Sequence, residues 1–112
     1  MKRVLLFAVL LACSLQVAAQ KWVRVNTVGY LPDDLKVAVF ISTEPSDAKT
    51  FNVCDAVTGK VVYTGQTKAV SGEKWKMQSA FRLNFSPVNK EGGYYIECAG
   101  AKSPSFKVGA DV

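Results

Sequence analysis

An all-β, immunoglobulin-like sandwich of about seven strands is the fold this sequence predicts. Three observations carry that prediction. Short stretches alternate apolar and polar residues, as in Val23-Arg24-Val25 and Phe81-Arg82-Leu83-Asn84-Phe85. Turn signals separate them at fairly regular spacing: Pro32-Asp33-Asp34, Thr58-Gly59-Lys60, Ser86-Pro87 and Glu91-Gly92-Gly93. No convincing helical period follows the N-terminal leader. Several short strands with such punctuation indicate two stacked antiparallel sheets.

The leader comes first in the chain. Met1-Lys2-Arg3 is cationic, Val4 to Ala12 is apolar, and Ser14 to Ala19 is a more polar tail ending in small residues. This is the layout of a secretory signal peptide, residues 1–19, cut between Ala19 and Gln20. Nine apolar residues rising about 1.5 Å each do not cross a hydrocarbon core of about 30 Å, so no membrane span is expected. The alternative is a lipoprotein anchored at Cys13, because Leu10-Leu11-Ala12-Cys13 resembles a lipobox. Either route places the domain, residues 20–112, in the periplasm or outside the cell.

The first strand is expected over Trp22 to Asn26. Gly29 permits a corner that side chains resist, and Pro32-Asp33-Asp34 makes a turn. The second strand, Lys36 to Ser42, is apolar on both faces, with Val37, Val39 and Ile41 on one and Ala38 and Phe40 on the other. A half-solvated strand should alternate. This strand is therefore either central and covered, or one of its faces awaits a partner. Tyr30, Pro32, Ala38 and Phe40 are the candidate interface residues. Further strands are expected at Thr50 to Cys54, Val61 to Thr64, Phe81 to Phe85, Tyr94 to Cys98 and Ser105 to Val108. Gln66 to Ser79 is the least legible stretch, with room for one short edge strand.

Composition narrows the chemistry. The chain has no histidine, which removes Ser-His and Cys-His nucleophilic pairs and His-based metal sites. Asp33-Asp34 is the only adjacent acidic pair. Neighbours on a turn do not face each other across a cleft as glycosidase carboxylates do. No catalytic residue, metal site or cofactor is expected. Without Lys2 and Arg3, 12 basic and 9 acidic residues remain, a net charge of +3. No three basic residues are consecutive, and no nucleic-acid partner is expected. Cys54 and Cys98 fall on opposite faces of their strands, so no disulfide between them is expected. Trp22, Tyr63, Trp75 and Tyr95 are the rings left free of inward strand positions. They are the candidates for stacking on a sugar such as β-glucan, against ordinary packing.

Val23-Arg24-Val25-Asn26-Thr27-Val28-Gly29-Tyr30-Leu31-Pro32, followed by Lys36-Val37-Ala38-Val39, resembles the start of the N-terminal immunoglobulin-like domain of family 9 glycoside hydrolases, the cellulases. Thr27 stands where that family usually has Gln. Phe51-Asn52-Val53 with Thr58-Gly59-Lys60-Val61-Val62 is similar to its second hairpin. Phe81-Arg82-Leu83-Asn84-Phe85-Ser86, Gly93-Tyr94-Tyr95-Ile96 and Ser103-Pro104-Ser105-Phe106-Lys107-Val108 resemble its later strands. The resemblance implies a non-catalytic accessory domain that stabilises or orients an (α/α)6-barrel hydrolysing β-1,4-glucans. The family's catalytic Asp and Glu residues lie in that barrel, and none can be carried onto this chain. A catalytic glycoside hydrolase module, in cis or in trans, is the implied partner. The chain is then either a fragment or a free-standing relative. The alternative is a stand-alone exported β-sandwich that binds carbohydrate or protein.

Overall fold

The computed structural model describes residues 20–70 and 79–112. Eight strands and no helix lie among them: β1 (Lys21–Arg24), β2 (Val37–Ser42), β3 (Thr50–Asp55), β4 (Val61–Val70), β5 (Ser79–Asn84), β6 (Gly92–Cys98), β7 (Ala101–Lys102) and β8 (Phe106–Val108). All strand pairs are antiparallel and form two sheets. One runs β1-β2-β5 and ends on the second half of β4. The other starts on the first half of β4 and runs through β3 to β6, with β7 and β8 following each other along β6. The sandwich class is therefore as the alternation implies.

The long β4 is the main departure from the sequence reading. It continues through Gln66, Thr67, Lys68, Ala69 and Val70, which no alternating pattern marks as a strand. It changes sheets as it goes: Val61 to Gln66 pair with β3, and Thr67 to Val70 pair with β5. Gly65 sits just before that change, opposite Phe51. A Cβ on Gly65 would stand 2.6 Å from the Phe51 ring, so this strand must be bare there for the ring to enter the core. The eighth strand is β7, two residues in a segment that reads as a turn. The Ser103-Pro104-Ser105 stretch then interrupts the pairing. There the Ser103 hydroxyl accepts the Ile96 N–H at 2.8 Å, and the Ser103 N–H donates to the Ile96 carbonyl at 2.8 Å.

The core lies between the sheets. Val23, Ala38, Phe40 and Leu83 come from one, and Phe51, Val53, Tyr94, Ile96, Cys98, Phe106 and Val108 from the other. The second strand is central, flanked by β1 and β5. Its Ala38 and Phe40 are 1% and 0% exposed. This corrects their place as candidate interface residues: they face the opposite sheet and offer nothing to a partner. The outward face of β2 instead carries Val37 and Val39, both half-buried.

Candidate functional site

The loop between β1 and β2, Val25 to Lys36, is built around two side chains. Lys36 is fully buried, and its ammonium donates to the carbonyls of Pro32 (2.6 Å), Asp34 (2.9 Å) and Leu31 (3.4 Å). A buried cation is tolerated only when its protons are used, and here three backbone acceptors use them. The lysine thereby clamps Leu31 to Asp34 into one shape. Tyr30 does the same on the other side. Its hydroxyl accepts the Asn26 N–H at 2.8 Å and donates to the Val37 carbonyl at 3.1 Å. Burial pushes its phenol pKa up, partly countered by the bond from Asn26. Its ring meets Phe85 and Phe106 edge-on at 5.0 and 5.4 Å.

The same residue ties the loop to the far end of the chain. The Tyr30 N–H donates to the Lys107 carbonyl, and the Gly109 N–H donates to the Tyr30 carbonyl. Gly29, at φ +118°, makes this approach feasible, because a Cβ there would lie 2.6 Å from the Lys107 carbonyl and 2.9 Å from the Val112 side chain. The result is one end of the sandwich where the clamped loop and the C-terminal segment meet. Val28, Leu31, Leu35 and Val112 are all exposed there, Leu35 at 68%. Among the candidate interface residues, Tyr30 and Pro32 thus belong to this end, half-buried. Sequence reasoning missed Lys36 as its organiser. A lysine at a strand entrance reads as solvated, and nothing local reveals three carbonyls converging on it.

Among the described residues, the candidate stacking rings Trp22, Tyr63 and Tyr95 do not form a row. Tyr63 faces inward, opposite Val53 and 6.1 Å from the Phe51 ring, and packs against the core. This corrects its reading as a surface ring. It lines a cavity of about 220 Å³ with Val62, Pro87, Val88 and Tyr94. Tyr95 lies on the outer face of the β3–β6 sheet, opposite Cys54, with the Lys102 ammonium 5.7 Å from its ring centre. Trp22 lies on β1, 37% exposed. It borders a groove of about 520 Å³ lined by Lys21, Arg24, Lys102 and Pro104. Trp75 lies outside the described residues, as do residues 1–19, with the expected signal peptide and Cys13.

Cys54 and Cys98 are free and buried. Cys98 points into the core and its thiol, pushed up to about 11 by burial, approaches the Thr50 carbonyl at 3.7 Å. Cys54 lies on the other face, its thiol raised first by burial and then by the Glu97 charge. Neither is poised as a nucleophile, since attack needs the thiolate.

Fold and site together define an immunoglobulin-like β-sandwich with exposed apolar side chains on the β1–β2 loop and at the C-terminus. The family model for the cellulase N-terminal Ig-like domain matches residues 18–103, and the chain belongs to that family. It is 33% identical over 91 residues to Endoglucanase D of Acetivibrio thermocellus, covering 80% of this chain and 14% of that protein. It is 30% identical over 79 residues to the xyloglucan-specific endo-beta-1,4-glucanase BoGH9A of Bacteroides ovatus, covering 70% of this chain and 13% of that protein. Among solved structures it superposes on a metagenome-derived glycoside hydrolase family 9 endoglucanase with a TM-score of 0.68 at 28% identity. That match covers 81% of this chain and 18% of the other. A Bacteroides ovatus GH9 structure gives 0.64 at 28% identity, over 78% and 15%. The chain thus spans about an eighth to a seventh of the length of the curated relatives it matches. Among the described residues, no helix is long and apolar enough to cross a membrane.

Proposed function

We propose that this domain is a non-catalytic accessory module of a family 9 glycoside hydrolase. It stabilises or orients an (α/α)6 catalytic module by docking the end formed by the clamped loop and the C-terminal segment. The observation that carries the reading is the set of exposed apolar residues Val28, Leu31, Leu35 and Val112, on a loop whose Leu31 to Asp34 segment is clamped by the buried Lys36 and at the C-terminus beside it. Exposed apolar side chains gathered on a rigid support are characteristic of protein contact surfaces. The family suggests the partner, since the relatives this chain matches are endoglucanases. β-1,4-Glucan hydrolysis would then be the partner's activity, and export by the 1–19 leader would place both outside the cytoplasm.

A domain exchange tests this. The chain from Gln20 to Val112 replaces the N-terminal domain of the Bacteroides ovatus xyloglucanase, and thermal inactivation is followed. The chimera is expected to outlast the isolated catalytic module. Leu31→Ser/Leu35→Ser is expected to cancel the gain while leaving the sandwich folded. A chimera no more durable than the isolated module would sink the docking reading.

A further inference from the structure

The outer face of the β1-β2-β5-β4 sheet carries a row of charge that docking at the loop end does not use. Register places Arg24 opposite Val39, Val39 opposite Arg82, and Arg82 opposite Lys68. Their chain neighbours Val23, Phe40 and Leu83 are core residues, so by alternation these four project outward. Arg24, Arg82 and Lys68 are exposed, and Val39 is half-buried. With strands about 4.8 Å apart, the row reaches about 14 Å across the sheet.

Arg82 and Lys68 are directly opposite each other, an arrangement that repels. None of the three cations forms an ion pair among the described residues. No Asp or Glu occurs in β1, β2, β5 or the Thr67 to Val70 half of β4. Among the described residues no acidic group offsets this juxtaposition, whereas an anion lying across it would be held from several sides. Trp22 is two residues from Arg24 on the same face of β1, opposite Ile41. It also borders the groove with Lys21, whose ammonium donates to the Ala99 carbonyl at 3.2 Å, and Lys102, which is 3.9 Å from the Glu97 carboxylate. A partly exposed indole beside a line of cations offers two contacts at once: an apolar face for a sugar ring, and positive charge for its carboxylate.

We propose that this face binds an acidic polysaccharide, one bearing uronic-acid carboxylates. Arg24, Arg82 and Lys68 meet the carboxylates and Trp22 stacks on a sugar ring. The inference stands independently of docking at the loop end.

Titration calorimetry at low and moderate salt tests it, with oligogalacturonate, a neutral cello-oligosaccharide of equal length, and dextran sulfate. Oligogalacturonate is expected to bind, and salt to weaken it. Arg82→Gln/Lys68→Gln and, separately, Trp22→Ala are each expected to weaken binding at least tenfold. The double variant should melt no lower than the parent, since it relieves repulsion. Absence of oligogalacturonate binding overturns the proposal. So does equal affinity for the cello-oligosaccharide, which makes charge irrelevant. Dextran sulfate binding as tightly, with Trp22→Ala unchanged, also overturns it, because the face is then a generic polyanion surface.

Discussion

Replacing Lys36 by Met isolates the clamp of the β1–β2 loop. Methionine keeps most of the buried volume and removes the ammonium. The Pro32 and Asp34 carbonyls, now bonded at 2.6 and 2.9 Å, lose a charged donor, and the longer contact to Leu31 is lost as well. Two good hydrogen bonds from a charged group contribute about 1.5–3 kcal/mol each. The variant also escapes the desolvation cost of a buried charge, which reduces the loss. The lower end of the range, about 3 kcal/mol, is therefore expected. For a domain near a hundred residues, that lowers Tm by about 12–24 °C. The assay is urea unfolding, paired with amide hydrogen exchange. Exchange should accelerate first at Leu31 to Lys36, ahead of β3 and β6. A loss under about 1 kcal/mol with unchanged exchange in that loop would refute the reasoning, since water would then serve the carbonyls as well as the lysine does.

Two further perturbations probe other parts of the fold. Gly65→Ala places a Cβ against the Phe51 ring and is expected to cost about 1–3 kcal/mol by overpacking. In a Phe51→Leu background that cost should shrink, and a double-mutant cycle in urea reads the coupling; additive effects would contradict the contact. Asp55 accepts the Val57 and Thr58 N–H groups at 2.8 and 2.9 Å, and bonds from Thr58 and then Val57 lower its carboxyl pKa. A lowered folded pKa means its contribution is present above the unfolded value of about 3.9 and lost as pH falls through the folded one. The urea midpoint of Asp55→Ala should therefore lie below that of the parent at pH 7, and the gap should narrow toward pH 2.5; a gap independent of pH would argue against the turn carboxylate as the cause.

Much of the strand pattern was legible because inward and outward residues alternate where one face meets water. Phe81, Leu83 and Phe85 were readable as inward in this way, and so were Tyr94, Ile96 and Cys98. The second strand was ambiguous for the same reason: both its faces are apolar, so periodicity could not say which met the core. Tyr63 was misread because a bulge shifts the pairing, Val53 facing Tyr63 while Cys54 faces Val61. Alternation counted from sequence loses register across such an insertion. The stacking candidates suffered similarly, since residue type shows that a ring can bind a sugar but not whether it shares a plane with another.

The sequence alone determined the class of fold, the resemblance to the family and turns such as Thr58-Gly59-Lys60 and Ser86-Pro87, because these depend on local properties: period-two burial, proline and glycine geometry, and the Asn-Thr-Val-Gly-Tyr corner; Gly92 and Gly93, expected in a turn, instead open β6. Only the tertiary structure decided that Lys36 is the clamp, that β4 passes from one sheet to the other, and that Arg24, Arg82 and Lys68 stand in one row. The clamp depends on how the loop folds back on the lysine, and the other two join groups far apart in the chain through strand register. Register is set by the summed packing of both sheets, so no single stretch of sequence carries it.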